Sequence, residues 1–273
     1  MPGTLFVVAT PIGNLDDITL RALRVLREAT LIAAEDTRRT VHLLSRHGIT
    51  TPTTSLHEHN EYKKAAMLVA KLQGGDSVAL VSDAGTPTVA DPGSALIRAA
   101  IDAGIRVEPI PGPNAAIAAL SVSGLSTDYF TFLGFPPTRA KDRKTWFDRL
   151  ARLGGVALFY EAPHRIQRTL ADLLGVIGDR PIVVARELTK VHEELVRGLI
   201  SQVSGAITSG KGEFTVVTDL GDTPDLRIFG HNQEKSPVGR RQAVADFAQL
   251  VGVAPNDLYR AIERLKNIGQ KTE

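Results

Sequence analysis

The stretch Val81-Ser82-Asp83-Ala84-Gly85-Thr86-Pro87-Thr88-Val89-Ala90-Asp91-Pro92-Gly93 joins an apolar run to a segment with helical periodicity. The run before it (77–81) predicts a buried strand, and the segment after it (94–103) predicts a helix. Glycines and prolines stiffen the turn and let its backbone approach a bound molecule, while Asp83 and Asp91 supply acceptors at the carboxyl end of a strand. We interpret the stretch as a ligand-binding loop; the alternative is a plain strand-to-helix turn with an acidic cap.

Strands and helices alternate on both sides of this loop. Short runs of Val, Leu, Ile and Ala predict strands, and segments with apolar residues three and four apart predict helices between them. Near-continuous apolar strands joined by helices are typical of a parallel sheet covered on both faces. The predicted strands of this first half are residues 4–9, 31–34, 77–81 and 106–110, and the predicted helices are residues 18–28, 38–47, 60–73 and 94–103.

Each of the four strands is followed by a loop of unusual composition. Because the carboxyl ends of parallel strands meet at the same edge of a sheet, we expect these loops to share one cleft. The loops are P-I-G-N (11–14), E-D-T-R (35–38), the stretch 82–93 and P-G-P-N (111–114).

A second alternation begins after residue 115 and predicts a second α/β domain. Its predicted strands are residues 129–133, 156–160, 181–186 and 214–218, and its helices include residues 144–153 and 166–174. The predicted organisation is an α/β domain at 1–114, another at 115–222, a linker at 223–236 and a small helical module at 237–273. Apolar stripes such as Ala243, Phe247 and Leu250 favour docking of that module onto the body over contact with nucleic acid.

Composition narrows the class of protein. The 273 residues are 43% hydrophobic, contain no run long enough to cross a bilayer, and include no cysteine for a disulfide framework. The opening Met1-Pro2-Gly3 lacks a basic signal segment, so we expect a cytoplasmic protein without a membrane partner. A net charge of +2 permits a polyanionic partner without demanding one.

Several catalytic motifs are missing from the sequence. It has no phosphate-binding G-x-x-x-x-G-K-[ST], no G-x-G-x-x-G after the first strand, no H-E-x-x-H and no G-x-S-x-G, which weakens the case for ATP hydrolysis, ordinary dinucleotide binding, zinc proteolysis and esterase chemistry. His57-Glu58-His59 could ligate a metal, since alternate residues of an extended segment face the same way. Without a third ligand we interpret it as a polar substrate-facing loop and assign no metal site.

The loops carry ordered segments that can be compared with a known family. They are A-T-P-I-G-N-L-D-D-I-T (9–19), A-E-D-T-R (34–38), S-L-H-E-H-N-E (55–61), S-D-A-G-T-P (82–87), P-G-P (111–113), L-G-F-P (133–136), Y-E-A-P-H-R (160–165) and R-E-L-T-K (186–190). With them the chain resembles the tetrapyrrole-methylase superfamily over residues 4 to about 218, and within it the members that methylate RNA of the small ribosomal subunit. It departs at Thr88 and Ala90, where the family commonly has Gly and Ser, and at Asn114, where Ser is frequent.

This resemblance implies a class III methyltransferase that moves a methyl group from S-adenosylmethionine (AdoMet) to a ribose 2′-hydroxyl of a cytidine in the decoding region of 16S rRNA. It also implies a homodimer, and a cofactor held between the two α/β domains. Gly/Pro turns present carbonyl groups rigidly, which suits a sulfonium cation and a ribose diol. The residues expected to hold the cofactor are Pro11, Ser82, Asp83, Ala84, Gly85, Pro87, Pro111, Gly112, Asn114, Ala115, Leu133, Tyr160, Ala162, Pro163 and Leu188.

The rate of methyl transfer to a hydroxyl increases most through alignment of the reacting atoms, and next through a base that takes the hydroxyl proton. The candidate catalytic residues are Asp36, Arg38, Glu161, Glu187 and Lys190. For Asp36 a helix N-cap is an equally good interpretation, and for Glu187 and Lys190 a structural ion pair.

Other side chains are candidates for holding the RNA. Guanidinium groups bind phosphate bidentately, and exposed aromatic rings can stack on a splayed base. For the basic run at 139–144 a solvated helix face is the slightly better interpretation. The candidates are Arg38, Arg39, His164 and Arg165 for phosphate, Arg139, Lys141, Arg143 and Lys144 in the basic run, and Phe135 or Tyr160 for stacking.

Two other functions remain open at this point. One is a methylase acting on a tetrapyrrole or on another small-molecule or protein substrate with the same fold; the other is a non-catalytic RNA-binding assembly factor. The charged residues expected in the cleft, such as Glu35, Arg38 and His57, favour a polar polyanion over an apolar macrocycle.

Overall fold

A computed structural model describes residues 2–221 together with residues 248, 254, 256, 257 and 260. The chain divides into two compact units, residues 1–224 and 225–273, and both β-sheets lie in the first. The predicted linker at 223–236 and nearly all of the predicted helical module at 237–273 fall outside the described residues, so they stay predictions. Within the described part of the chain, no helix is both long enough and apolar enough to span a bilayer.

The first sheet is parallel throughout and has the strand order β3-β2-β4-β1-β5. Its strands are β1 (Thr4–Val8), β2 (Leu31–Ala34), β3 (Thr53–Ser55), β4 (Val78–Val81) and β5 (Arg106–Ile110). The helices between them are α1 (Leu20–Glu28), α2 (Thr37–Arg46), α3 (Glu61–Gln73) and α4 (Ser94–Asp102), and a short 3₁₀ turn, Leu15–Asp17, precedes α1.

Alternation along β4 shows how this sheet is covered on both faces. Ala79 and Val81 point into a core shared with α1 and α2, whereas Val78 and Leu80 point into a core shared with α3 and α4. All four side chains are at most 2% exposed. A strand buried on both faces reads as a continuous apolar run, which is why this parallel sheet could be predicted from sequence.

The second sheet is mixed, with the order β6-β7-β10-β8-β9. Only β6 and β7 pair in parallel among its strands, and the other neighbours are antiparallel. Its elements are α5 (Ala115–Ser121), β6 (Phe130–Phe132), α6 (Ala140–Leu150), β7 (Val156–Glu161), α7 (Ile166–Ile177), β8 (Pro181–Arg186), β9 (Glu194–Leu199), α8 (Ile200–Ala206) and β10 (Phe214–Asp219). Helices α6, α7 and α8 cover one face, and α5 covers the other.

The α/β fold class is confirmed, while the elements differ from the predicted ones in places. Four short ones, β3, α5, β9 and α8, were not predicted, and α6 begins at Ala140 instead of residue 144. Both predicted α/β domains, 1–114 and 115–222, lie in the first compact unit, so their division stays a prediction. Helix α5 begins at Ala115, and its Ala116, Ala119 and Leu120 pack on the second sheet.

Candidate functional site

The four loops predicted to share a cleft do meet at the carboxyl edge of the first sheet. Thr10 and Gly85 exchange backbone hydrogen bonds of 2.9 and 3.0 Å, which join the β1 loop to the β4 loop. The Thr86 hydroxyl donates to the carbonyl oxygen of Pro113 at 3.2 Å, which joins the β4 loop to the β5 loop. Gly85 has φ = +83°, a conformation that costs glycine little. The loops therefore form one rigid wall.

A cavity of about 280 Å³ separates this wall from the second sheet. The first half contributes acidic groups and small residues of the β4 loop, and the second half contributes mainly the β7 loop, with the ring of Tyr160. The predicted cofactor residues that line it are Asp83, Ala84, Gly85, Asn114, Ala115, Tyr160, Ala162, Pro163 and Leu188.

The remaining predicted cofactor residues are not on the wall of this cavity. Pro11 and Ser82 line a neighbouring cavity of about 80 Å³. Pro87, Pro111, Gly112 and Leu133 line neither of the two cavities. Gly112 nevertheless has a packing role, since a Cβ there would lie 3.0 Å from the Cβ of Ala9. These residues shape the loops that carry the lining residues.

Asn114 combines two roles. It lines the cavity and its side chain accepts a hydrogen bond from the backbone N–H of Ile117 at 3.2 Å, which caps α5. Serine and asparagine are both good N-caps, so the departure from the family's frequent serine leaves this cap intact.

Five acidic residues line the cavity: Glu35, Asp83 and Asp91 from the first half, and Glu161 and Glu213 from the second. Burial raises the pKa of Asp91 to about 6, against a hydrogen bond from Ser82, and repulsion from Glu35 and Asp83 adds to the rise. Burial also raises the pKa of Glu35, although the backbone N–H of Asp83 donates to it. A partly desolvated cluster of like charges favours a cationic ligand.

Glu35 and Asp91 are expected in the cleft from the sequence, but neither is among the residues predicted to hold the cofactor or to act in catalysis. Asp91 lies in the β4 loop, and that position was the only sign in the sequence that it belongs to the site. Glu35 and its neighbour Asp36 are both acidic, so residue type alone does not show which of them faces the cavity. The structure separates the two by role. Glu35 faces the cavity, while Asp36 ends the strand-to-helix turn and caps α2.

Asp36 and Arg38 are engaged with each other and lie off the cavity wall. The Asp36 carboxylate accepts from the backbone N–H of Arg38 at 2.9 Å and from its guanidinium at 2.8 Å. The guanidinium and backbone hydrogen bonds of Arg38 hold the pKa of Asp36 at about 2. A weak base that already caps a helix is a poor proton acceptor, so the N-cap interpretation replaces the catalytic one for Asp36.

Glu161 lies at the centre of a buried ion-pair network. Its carboxylate accepts from the Arg165 guanidinium at 2.6 Å and from the Thr169 hydroxyl at 2.5 Å, and lies 3.7 Å from Arg143. Arg143 in turn bonds Asp172 at 2.8 Å. The Glu161 side chain has no exposed surface and Arg143 only 5%. These charges neutralise one another inside the fold. The structure therefore does not support Glu161 as a base, or Arg143 and Arg165 as ligands of phosphate.

Glu187 and Lys190 form the ion pair that the alternative interpretation described. The Lys190 ammonium lies 2.9 Å from Glu187 and 3.0 Å from Glu213. Burial lowers the pKa of Lys190, but the hydrogen bonds to Glu187 and Glu213 outweigh it and raise the pKa. A catalytic base needs a lysine with a lowered pKa, so Lys190 does not fit that role.

Several candidates for holding RNA are exposed, and two of them, Arg39 and Phe135, line the cavity. The Arg39 side chain is 64% exposed and lies 3.6 Å from Asp83, and His164 is also exposed. Phe135 is 52% exposed and tilts against the Tyr160 ring at 5.4 Å between centroids. Arg139, Lys141 and Lys144 lie exposed near and on α6. In the β3 loop, Asn60 donates to His57 Nε2 at 2.9 Å, and within residues 2–221 no metal-binding cluster includes these histidines.

Comparison with known proteins gives consistent results. The model of the family described as Tetrapyrrole (Corrin/Porphyrin) Methylases matches residues 4–204. The chain is 44% identical to "Ribosomal RNA small subunit methyltransferase I" of Pseudomonas aeruginosa, over 96% of this chain and 98% of that protein. It is 49% identical to the protein of the same name from Synechocystis sp., over 82% and 81% of the two chains. The fold is similar to that of uroporphyrin-III C-methyl transferase from Thermus thermophilus complexed with S-adenyl homocysteine, with a TM-score of 0.58 and 17% identity over 83% of this chain and all of that one.

Proposed function

We propose, for a chain that belongs to the tetrapyrrole methylase family and is a methyltransferase, that the methyl acceptor is a ribose 2′-hydroxyl of a cytidine in the decoding region of 16S rRNA. The names of relatives 44% and 49% identical point to small-subunit RNA. The 2′-hydroxyl of a cytidine is the finer part of the proposal, and it comes from the resemblance in the loops.

The cofactor of this family is AdoMet, and the cavity's groups fit it. Glu35, Asp83 and Asp91 offer negative charge to the cation, and the apolar sides of Tyr160 and Leu188 suit a nucleoside. When bound, AdoMet supplies a methyl group on positively charged sulfur. The observation that carries the proposal is this carboxylate-lined cavity, closed by loops that are hydrogen-bonded to one another.

Among the cavity's carboxylates, Asp91 is the best placed to take the proton of the ribose hydroxyl. Asp83, Glu161 and Glu213 each lie within ion-pair distance of a cation, and Glu35 accepts a hydrogen bond from the backbone N–H of Asp83. Asp36 and Glu187 lie off the cavity wall and pair with Arg38 and Lys190. Asp91 makes no ion pair among the described residues, and its pKa of about 6 lies close to the pH at which a general base works best in the cell. Asp91 would thus accept the proton at a carboxylate oxygen that lines the cavity.

The mouth of the cavity suits a nucleic acid. Arg39 and His164 can contact phosphates next to the target nucleotide, and Phe135 can stack on an unpaired base. A macrocycle would need a broad apolar surface, and the acidic cluster opposes that. A homodimer in the cytoplasm, as the family resemblance implies, completes the proposal; light scattering on the purified protein tests the dimer.

The test is methylation in vitro. Purified protein, AdoMet labelled in its methyl group, and either free 16S rRNA or assembled small subunits from a strain lacking this gene are incubated together. Digestion to nucleosides should release labelled 2′-O-methylcytidine from at least one substrate. Label on another nucleoside, or none on either RNA while calorimetry shows AdoMet binding, contradicts the proposed acceptor. No AdoMet binding at all would support the assembly-factor alternative.

A further inference from the structure

Glu61 is a buried carboxylate whose role is not explained by the site as described so far. It is the first residue of α3 and the last of the S-L-H-E-H-N-E segment, and it is 7% exposed. Across residues 2–221 it takes part in no ion pair. A buried carboxylate without a cation must be satisfied by other donors.

Those donors are backbone groups of the neighbouring helix α4. One oxygen of Glu61 accepts from the N–H of Gly93 at 3.0 Å and from the N–H of Ala95 at 2.5 Å. Gly93 is the N-cap of α4 and has no side chain with which to cap it. Glu61 therefore supplies the cap from a different helix, and its negative charge faces the positive end of the α4 dipole.

The position of this cap fixes the far end of the β4 loop. The near end is held where Gly85 pairs with Thr10, and the middle where Thr86 bonds Pro113. After these two attachments, the loop runs through Thr88 and Ala90 with φ of +71° and +69°, both in the left-handed region that side chains disfavour.

The strained segment is also the one that lines the cavity. Val89, Ala90 and Asp91 all contribute to the wall. Gly93 itself is closely packed: a Cβ there would lie 2.7 Å from Leu80 Cδ2 and 3.3 Å from Thr88 Cγ2. A strained segment keeps its shape only while both ends are held.

The position of the Glu61 side chain depends on contacts made by the residues just before and after it. The side-chain Oδ1 of Asn60 accepts from the backbone N–H of His57 at 2.9 Å, which folds the β3 loop back just before α3 begins. Lys64 bonds the hydroxyls of Thr54 and Ser55 at 2.8 and 3.1 Å, which fastens the first turn of α3 to β3. Glu61 thus reaches Gly93 from a fixed base.

We propose that Glu61 is a positioning residue for the cofactor: by holding the amides of Gly93 and Ala95, it keeps the Thr88–Asp91 segment against the cavity. The inference concerns cofactor binding and holds whichever hydroxyl receives the methyl group. Its test can therefore fail while the rRNA proposal stands, and the reverse.

The test compares Glu61→Ala and Glu61→Gln with the wild-type protein. Titration calorimetry with AdoMet should show a dissociation constant about tenfold higher for E61A and a smaller rise for E61Q, which keeps one oxygen acceptor. Once a methylation assay is in hand, the KM for AdoMet should rise in parallel, while kcat at saturating AdoMet should stay within about threefold, because ligand binding restores the loop. Hydrogen exchange should accelerate in the peptide that covers residues 87–95.

Asp179→Ala is the matched control. Asp179 also accepts from the first turn of a helix, bonding the N–H and hydroxyl of Ser201 at 2.9 and 2.7 Å, but it lies off the cavity. D179A should lose stability and keep the wild-type affinity for AdoMet. If E61A also keeps that affinity, Glu61 is only a structural cap and the proposal is overturned. If E61A fails to fold, unchanged affinity and exchange in E61Q overturn it equally.

Discussion

At the scale of single residues, strain is concentrated in the loops around the cavity. Four non-glycine residues have positive φ among those described: Thr88, Ala90, Glu187 and Thr189. The first two lie in the β4 loop and the other two flank Leu188, which lines the cavity. Because such conformations are unfavourable, their clustering at one site is typical of a functional region.

Replacing Thr88 by glycine, the residue common in the family, should stabilise the protein. A β-branched residue at φ = +71° costs up to a few kcal/mol, and glycine's extra flexibility in the unfolded chain offsets part of that, so a gain of about 1 kcal/mol in the free energy of unfolding is expected. Urea denaturation measures it. Thr145→Gly in α6 is the control and should lose about 0.3–0.5 kcal/mol, the difference in helix propensity between threonine and glycine. Equal losses in both variants would show that Thr88 is not strained.

The affinity for AdoMet should rise with pH through about 6. The pKa of Asp91 is raised to about 6 in the folded protein, so folding favours the neutral carboxyl group. The contribution of this group to the free energy of unfolding is fully present below the pKa of Asp91 in the unfolded chain, and it is lost as the pH rises through about 6. A cationic ligand favours the ionised form. Calorimetry at pH 5 to 8 tests this, and Asp91→Asn should flatten the profile. An equal rise in D91N would assign the titration to another group.

The sequence predicts which loops form the cavity, but it does not show which way each side chain in those loops points. The glycines, prolines and acids of the loops identified the cavity, yet Asp36 was favoured over Glu35 because both follow the same strand. Only the turn geometry shows that Asp36 bends back to cap α2. Likewise Glu161 and Arg165 look free in the sequence, and only their distance reveals the pair.

At the scale of elements, the start of helix α6 decides how Arg143 is interpreted. The predicted helix began at residue 144, which left Arg143 in a solvated basic run. The helix begins at Ala140, so Arg143, Phe147 and Leu150 share its buried face at spacings of four and three. The Arg143 guanidinium lies 4.9 Å from the centre of the Phe147 ring. An arginine on an apolar stripe is a signal that the sequence did contain.

Arg143→Met should therefore destabilise the fold without a specific effect on RNA binding. Removing one partner from a buried ion pair typically costs about 3–5 kcal/mol, since Glu161 would keep its charge with fewer partners. Chemical denaturation measures the loss. Lys144→Ala, at an exposed neighbouring position, should change stability by less than about 0.5 kcal/mol. If R143M is as stable as K144A, the network does not hold α6 and α7 to β7.

The elements that were not predicted are short or lack a clear period. Strand β3 has three residues, and β9 reads E-L-V-R-G-L with a glycine inside it and exposed positions near its end. The mixed pairing of the second sheet was also hidden, because the alternation of strands and helices there has the pattern of parallel units. Strand order depends on pairing between strands that are far apart in the sequence, such as β10 with β7 and β8, and local sequence does not record that pairing.

At the scale of the whole first unit, the two halves touch at the β1 loop. The backbone N–H of Asn14 donates to the Thr189 hydroxyl at 3.0 Å. A Cβ on Gly13 would lie 2.8 Å from the carbonyl oxygen of Leu188, so this glycine lets the two halves come together. Since Ile12 and Leu188 both line the cavity, this contact sets its width.

Gly13→Ala should lower the affinity for AdoMet by about tenfold or more, because the added methyl group pushes the Leu188 loop away from the wall. Calorimetry and the cofactor KM measure it. Gly175→Ala in α7 is the control: nothing lies within 4 Å of its Cβ position, and alanine favours the helix. Wild-type affinity in G13A would mean that the cavity tolerates a wider opening.

The place of β10 in the second sheet has a consequence for shortened chains. This strand comes last in the described sheet but pairs with both β7 and β8 at its middle, and Phe214 and Thr215 line the cavity. Without β10, strands β7 and β8 have no partner between them, and the cavity lacks the part of its wall that Phe214 and Thr215 form. We therefore expect a chain that ends before residue 214 not to bind AdoMet.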